Sequence, residues 1–140
     1  MKIKLVSAMV DDQARALKFY TEVLGFVKKT EIPMGEFKWL TVVSPDGHED
    51  VELVLEPMGF PPARHYQKAL FEAGIPLTAF STEDIQTEYK HLKKLGVSFR
   101  GGPQPIQPLR AAARRRSEPL IPALFVATWL GGGDPDELDE

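Results

Sequence analysis

The side chains that most often carry catalysis are few in this chain and widely spaced. The sequence contains no cysteine and three histidines, His48, His65 and His91. The lack of cysteine excludes disulfides, thiolate metal sites and cysteine nucleophiles. No two histidines have the i, i+4 spacing that places a pair of metal ligands on one helix face. We therefore expect all three histidines on the surface. The sequence also contains no Gly-x-Ser-x-Gly, P-loop or dinucleotide-binding motif.

Glu52 is the acidic residue with the clearest chemical use, because it lies within an alternating apolar stretch, 51–56, that predicts a strand. If its side chain faces an apolar pocket, desolvation raises the pKa of the carboxyl group and makes Glu52 a candidate general base. If it faces solvent, it pairs with Lys38 or another basic residue and has no role in chemistry. The sequence leaves both alternatives open.

Aromatic residues offer two further surfaces. Phe37 and Trp39 share one side of a predicted strand, 37–43, because side chains alternate along a strand. They either pack in the core against helices or form a pocket wall that stacks on a planar or acyl ligand. Phe60 and Tyr66, in the linker 57–75, can form a lid or a dimer contact.

Composition and charge are those of one globular domain. The chain has 140 residues, 43% of them hydrophobic, and a formal net charge of −3. An acidic protein has no general attraction to nucleic acid. The basic residues Arg110 and 114–116 could contact phosphates, but no aromatic residues are interleaved with them. A solvated or non-native tail explains this run better.

Targeting features are absent from the sequence. The apolar part of MKIKLVSAMVDD is too short for a signal peptide and has no small-residue cleavage pattern. No segment reaches the roughly 18 apolar residues of a membrane span. We expect a soluble, cytoplasmic protein without membrane or nucleic-acid partners.

The stretch 11–26, DDQARALKFYTEVLGF, predicts a helix between two strands. Its apolar residues recur at three- and four-residue steps on one face: Ala16, Phe19, Tyr20, Val23 and Leu24. Asp12 is the expected N-cap, and Gly25 is the expected left-handed residue after the helix.

The rest of the chain predicts further strands and a second capped helix. The expected strands, beside 37–43 and 51–56, are 2–10, 26–32, 76–81 and 97–100, with turns at 33–35 and 44–47. A short helix is predicted at 63–72. The second helix is predicted to be capped by Thr82, to end at Gly96, and to bury Ile85, Tyr89, Leu92 and Leu95.

An internal repeat relates the two helices. Asp12 and Gly25 are separated by the same distance along the chain as Glu83 and Gly96, with an offset of 71 residues. A strand, a helix and then Leu-Gly followed by an apolar residue occur in both places. The pattern predicts duplicated βαβββ units.

The order V-D-D-x-x-x-A-L-x-F-Y-x-x-V-L-G-F after a first strand resembles the opening of the vicinal oxygen chelate superfamily. That group includes glyoxalase I, bleomycin-resistance proteins and extradiol dioxygenases. The resemblance covers about residues 1–102. It implies an α+β fold in which paired βαβββ modules, 1–56 and 76–102, form a concave mixed sheet and are joined by the linker 57–75.

Metal-dependent members of this superfamily bind a divalent ion through four side chains on the concave sheet, and the ion polarises a substrate oxygen. Position by position, the resemblance places three of these ligands at Leu5, Glu52 and about Leu77, and the fourth beyond residue 102. Leucine cannot bind a metal, and one carboxylate does not hold a transition ion against water. We therefore expect no cofactor, with a divalent metal as the alternative.

Residues 103–140 depart from the family pattern, so the second module is incomplete or altered. Prolines oppose a central strand at 103–108, and the segment 109–116 predicts a short helix. The segment 123–130 predicts a strand or a stray hydrophobic stretch, and 134–140 is acidic and predicted to be disordered. A reading-frame change in a GC-rich gene would explain the shift in composition, and sequencing of the gene tests it.

The resemblance leads to two functional hypotheses. In the first, a small hydrophobic or aromatic molecule binds in the concave pocket, which has no complete metal site, and the ligand-binding residues are Leu5, Trp39, Glu52 and Leu77. In the second, the protein is a metal-dependent lyase or dioxygenase in which Glu52 is catalytic. Drug-binding members commonly dimerise and share pocket walls between two chains, so we expect a homodimer.

Overall fold

The computed structural model describes residues 1–103, except Glu49, Pro76 and Arg100, and the backbone of residues 124–127. The described chain forms two compact units, Met1–Leu77 and Thr78–Ala127. Each unit is described by itself.

The first unit is built on a four-stranded mixed sheet with the strand order β1-β4-β3-β2. The strands are β1 (Leu5–Val10), β2 (Val27–Met34), β3 (Phe37–Val43) and β4 (Glu52–Pro57). β1 pairs in parallel with β4, whereas β3 pairs antiparallel with both β2 and β4. With the helices below, this sheet confirms the predicted α+β class.

Helix α1 (Gln13–Lys18) follows β1 and continues as a π-helical turn, Phe19–Val23. Asp12 is the N-cap, as predicted, and its carboxylate accepts the backbone N–H of Arg15 at 2.8 Å. Gly25 has a φ of 73°, also as predicted. The helix therefore begins and ends where local sequence signals place it.

Gln13 attaches α1 to the sheet. Its Nε2 donates to the backbone oxygens of Lys38 at 2.7 Å and Leu55 at 2.8 Å, and its Oε1 accepts the N–H of Lys38 at 3.0 Å. The core lies between this helix and one sheet face, and consists of Ala8, Val10, Ala16, Tyr20, Leu40, Val42 and Leu55.

The opposite sheet face is termed the far face. Because successive side chains of a strand alternate, the pairing register assigns its members. They are Leu5, Ser7 and Met9 of β1, Glu52, Val54 and Glu56 of β4, Thr41, Trp39 and Phe37 of β3, and Thr30, Ile32 and Met34 of β2. Thr41 and Val54 are buried, whereas Leu5, Ile32, Met34, Phe37 and Trp39 are exposed.

The turn between β2 and β3 lies later than predicted. Pro33 and Met34 belong to β2, and the turn is formed by Gly35, whose φ is 66°, and Glu36. β2 is an edge strand, where a proline without an N–H donor does not interrupt a ladder. The predicted turn at 33–35 is therefore wrong by two residues.

Helix α2 (Pro61–Glu72) occupies the linker and begins before the predicted 63–72. Its first residues are prolines, which fit the first helical turn because their missing N–H would have no helical partner there. Gln67 is 2% exposed, and its Nε2 donates to the backbone oxygen of Met9 at 2.9 Å. This bond joins α2 to β1.

The second unit contains β5 (Thr78–Ser81), α3 (Ile85–Lys94) and β6 (Leu124–Ala127), with β5 and β6 antiparallel. The N-cap of α3 is Asp84 and not Thr82, because the Asp84 carboxylate accepts the N–H groups of Gln86 and Thr87.

The end of α3 also differs from the prediction. Leu92 is buried, but Leu95 is exposed because it caps the helix and lies beyond its last full turn. Residues 97–99 of the predicted strand 97–100 are not in a strand, and Phe99 packs edge-on against Tyr89 with ring centroids 4.7 Å apart. This aromatic contact joins residue 99 to α3.

β6 lies within the apolar segment 123–130 that predicts a strand. The predicted helix at 109–116 and the predicted disorder at 134–140 lie outside the described residues, as does the basic run at Arg110 and 114–116. The domain boundaries and the frame change stay predictions. None of the helices in the part of the chain that the structure describes is both long and apolar enough to span a bilayer.

Candidate functional site

Three polar side chains meet on the far face and are termed the Glu52 cluster: Glu52, Thr41 and Lys29. Thr41 Oγ1 donates to Glu52 Oε2 at 2.8 Å. Lys29 Nζ lies 3.4 Å from Glu52 Oε1. The side chain of Glu52 is 14% exposed and that of Lys29 is 40% exposed. Each carboxylate oxygen of Glu52 therefore has a polar partner.

A β-bulge in β2 brings Lys29 to this cluster. Lys28 is opposite Val42 and Thr30 is opposite Thr41, so the ladder shifts between them and Lys29 is the extra residue. β3 lies between β2 and β4, so the outer two strands are roughly 10 Å apart. The Lys29 side chain must cross β3 to reach Glu52.

The cluster keeps Glu52 ionised. The hydrogen bond from Thr41 holds the pKa of the Glu52 carboxyl below its ordinary value, with further contributions from Lys29 and Lys4, while desolvation acts in the opposite direction. This direction is the reverse of that expected for a desolvated general base. The basic partner of Glu52 is Lys29, because Lys38 binds Glu31 at 2.7 Å. A catalytic role for Glu52 stays a prediction.

Among the residues that the structure describes, those around Glu52 do not fit a divalent ion. Both of its oxygens have partners, and the residue paired with it on β1 is Leu5, which has no donor atom. Among the side chains that the structure describes, no three of His, Cys, Asp or Glu lie together as a metal site would require. The predicted surface histidines, His48, His65 and His91, are indeed exposed.

An open pocket of about 410 Å³ lies between β1 and the start of α2. Its lining is Ser7, Met9, Phe60, Pro62, Ala63, Tyr66 and Leu77. The walls are apolar apart from the hydroxyl groups of Ser7 and Tyr66. Phe60 and Tyr66 are both largely exposed, so two aromatic rings border the opening. Such a site suits a hydrophobic or aromatic molecule.

The structure distributes the predicted ligand-binding residues over this region. Leu5, Trp39 and Glu52 are on the far face, and Leu77 lines the pocket just before β5. Ser7 and Met9 share the face of Leu5 and also line the pocket. Sequence reasoning missed both, although strand alternation from Leu5 gives their positions.

Trp39 and Phe37 are not core residues. Trp39 is 36% exposed, and the buried members of β3 are Leu40, Thr41 and Val42. The Phe37 ring packs against the linker, where a Cβ added to Gly59 would lie 3.1 Å from Phe37 Cε2. Glycine at this position lets the ring contact the backbone. The core-packing alternative for the two aromatic residues is therefore wrong.

The family model described as "Glyoxalase/Bleomycin resistance protein/Dioxygenase superfamily" matches residues 2–111. The chain belongs to this superfamily. It is 54% identical to the uncharacterized protein YurT of Bacillus subtilis (strain 168). The alignment spans 99 residues and covers 71% of this chain and 78% of YurT.

Two solved structures are similar to this chain in fold. UcmS2 superposes with a TM-score of 0.64 and 30% identity, over 74% of this chain and 81% of UcmS2. TnmS3, an antibiotic binding protein from Streptomyces sp. CB03234, superposes with a TM-score of 0.53 and 27% identity, over 70% of this chain and 73% of TnmS3.

Proposed function

We propose that this protein binds a small hydrophobic or aromatic molecule without using a metal ion. The observation that carries the proposal is the pocket between β1 and α2, whose walls are apolar and whose opening is bordered by Phe60 and Tyr66. Its volume of about 410 Å³ is within the range of small-molecule sites. The far face, which also carries Glu52 and Glu56, exposes further apolar side chains at Leu5 and Trp39.

The similarity to TnmS3 supports the same class of function, because that relative is described as an antibiotic binding protein. The metal-free part of the proposal is supported by the surroundings of Glu52. Both of its carboxylate oxygens have partners, and Leu5, which is paired with it on β1, has no donor atom. We also propose that the protein acts in the cytoplasm, which fits the lack of cysteine.

A homodimer is part of the proposal. The far face exposes Ile32, Phe37 and Trp39 together, and an exposed apolar patch of this kind commonly marks an interface. Sedimentation equilibrium of the wild type and of an Ile32→Glu variant tests it. A dimer that dissociates in the variant is expected, and a monomeric wild type would contradict this part alone.

Binding is tested by titration calorimetry with 1-naphthamide, a neutral bicyclic aromatic probe. Tyr66→Ala and Phe60→Ala remove pocket walls and should each weaken binding about fivefold or more, because a stacked aromatic contact is lost. His65→Ala is the matched control, since this exposed neighbour on α2 does not line the pocket. No binding by the wild type, or equal loss in the control, contradicts the proposal.

The alternative is a metal-dependent lyase or dioxygenase with Glu52 as a ligand or base. It requires Glu52 to exchange its present partners for an ion. Metal analysis of the purified protein decides between the two: stoichiometric nickel, zinc, iron or manganese that is lost in Glu52→Gln would favour the enzyme.

A further inference from the structure

Glu56 is a far-face residue of β4 that lies next to the wall of the pocket. The parallel register of β1 and β4 pairs it with Met9, and Met9 lines the pocket. Both side chains are on the far face, because side chains alternate along each strand. Neighbouring strands are about 4.8 Å apart, so the half-buried side chain of Glu56 is one residue away from the pocket wall.

Glu56 differs from the other strand glutamates of the first unit, Glu31 and Glu52, in its partners. Glu31 binds two lysine ammonium groups, at 2.5 and 2.7 Å. Glu52 has a hydroxyl donor and a lysine, as described above. Within the described part of the chain, Glu56 makes no hydrogen bond and no ion pair. Its carboxylate is therefore the acidic group of this sheet that a ligand could still neutralise.

Strand pairing does not continue past Glu56 on its other side. β3 pairs with β4 as far as Val54. Beyond this point, the amide of Gln13 donates to backbone oxygens of both strands, at 2.7 and 2.8 Å. Gln13 thus takes hydrogen-bonding groups that a continued ladder would use. The far-face residue paired with Glu56 is Met9, whose thioether carries no charge.

Aromatic rings border the region beyond Met9. Phe60 and Tyr66 stand at the pocket opening, where they are 70% and 61% exposed. The ring of Phe37 packs against Gly59, the residue immediately before Phe60. The face of an aromatic ring attracts cations, because its quadrupole is negative there. No lysine, arginine or histidine is among the described residues that line the pocket. The rings and the carboxylate therefore both favour a positive charge.

We propose that Glu56 selects the polar group of the ligand, and that the ligand is a hydrophobic or aromatic molecule carrying a protonated amine. The body of the ligand would occupy the pocket beside Phe60 and Tyr66, and its ammonium would reach past Met9 and donate to the Glu56 carboxylate. This inference rests on the proposed function and adds the charge of the ligand to it.

The test compares 1-naphthylmethylamine, which is protonated at neutral pH, with 1-naphthylmethanol, which has nearly the same shape and no charge. Titration calorimetry measures both probes against the wild type and Glu56→Gln, which keeps the shape of the side chain and removes its charge. The wild type should bind the amine about tenfold more tightly than the alcohol. Glu56→Gln should lose this preference and change alcohol binding less than about twofold, and Glu56→Asp should retain part of the preference.

Glu22→Gln is the matched control. It removes the same charge from an exposed residue of the π-helical turn, which lies on the core side of the sheet. Equal loss of amine binding in the two glutamine variants, equal loss of both probes in Glu56→Gln, or a wild type without preference for the amine overturns the inference. A wild type that binds the alcohol but not the amine overturns it and leaves the proposed function intact. A wild type that binds neither probe contradicts both.

Discussion

Thr41 and Glu52 are joined by a hydrogen bond between neighbouring strands, with Thr41 Oγ1 2.8 Å from Glu52 Oε2. Thr41 is opposite Val54 in the β3–β4 ladder, so the bond runs diagonally across the far face. The donor is fully buried, and its position is therefore fixed by the sheet. The bond fixes the carboxylate that in turn holds Lys29.

Thr41→Val should lower the free energy of unfolding by about 1 kcal/mol at neutral pH, because an oxygen of the half-buried Glu52 carboxylate loses its donor. The pKa of Glu52 is lowered in the folded state from its ordinary 4.5. Its contribution to stability is therefore present above pH 4.5 and is lost as the pH falls through the lowered value. Urea unfolding measures the difference in the free energy of unfolding between the wild type and Thr41→Val. This difference should be smaller at acidic pH than at neutral pH.

Thr30→Val is the control for this prediction, since it removes a hydroxyl directly opposite Thr41 on the edge strand. A deficit that is the same at both pH values would show that Thr41 contributes by packing and not through Glu52.

Gly25→Ala should destabilise the protein by about 1 kcal/mol, because φ is 73° and a Cβ is strained in the left-handed region. A Cβ at Gly25 would meet nothing within 4 Å, so the cost is one of backbone conformation alone. Gly25→Asn should cost less. Gly102→Ala is the control, and thermal unfolding is the measurement. At Gly102 φ lies outside the left-handed region, and an added Cβ would meet no atom within 4 Å. Equal effects at the two glycines would refute the argument.

Asp84→Ala should lower the thermal unfolding temperature of the unit containing α3, and Thr82→Ala should not, because Asp84 is the N-cap. The hydrogen bond from the Thr87 side chain is the main cause that lowers the pKa of Asp84 from its ordinary 3.8. The stabilisation is therefore present above pH 3.8 and disappears as the pH falls through the lowered value. Circular dichroism melts at neutral pH and well below it measure the difference.

Gln67→Glu should destabilise the protein by about 2–3 kcal/mol at neutral pH, because an ionised carboxylate cannot donate to the Met9 carbonyl and would be buried there. Burial would raise the pKa of the introduced acid, so the deficit should disappear as the pH falls and the protonated acid donates again. Urea unfolding across this pH range is the measurement.

Gln67→Met should cost much less than Gln67→Glu. Gln67 Oε1 accepts no hydrogen bond within the described part of the chain, so removing it also removes a buried unpaired acceptor. Gln86→Glu, on the exposed first turn of α3, controls for the added charge. A Gln67→Met variant as unstable as Gln67→Glu would contradict this account.

The elements set by local signals could be predicted from the sequence. Asp12 and Gly25 act within one helical turn of the residues that they cap, so their types suffice. The repeat was predicted with equal helix lengths, but the N-caps are Asp12 and Asp84, one residue out of step. The π-helical turn Phe19–Val23 occupies the additional residue in the first helix. Nothing in the sequence marks that turn.

The site could be predicted only in part. Alternation shows that Trp39 and Leu40 lie on opposite sides of β3, but it does not show which side is the core. The position of Lys29 depends on a bulge formed by pairing with β3, which is a tertiary event. Leu77 was predicted from the family and lines the pocket, while its role in binding stays a prediction.

The residue at the bulge, Lys29, contributes its side chain to the far face but lies outside the residue pairs that join β2 to β3. The paired residues on either side of it, Lys28 with Val42 and Thr30 with Thr41, are aligned through backbone pairing that does not involve the Lys29 side chain. Replacing this single residue would change the polarity of the surface offered to a guest molecule while leaving strand alignment untouched. Position 29 of the edge strand β2 can therefore carry a different side chain, and so alter the polarity of the far face, without a change in the pairing of the strands.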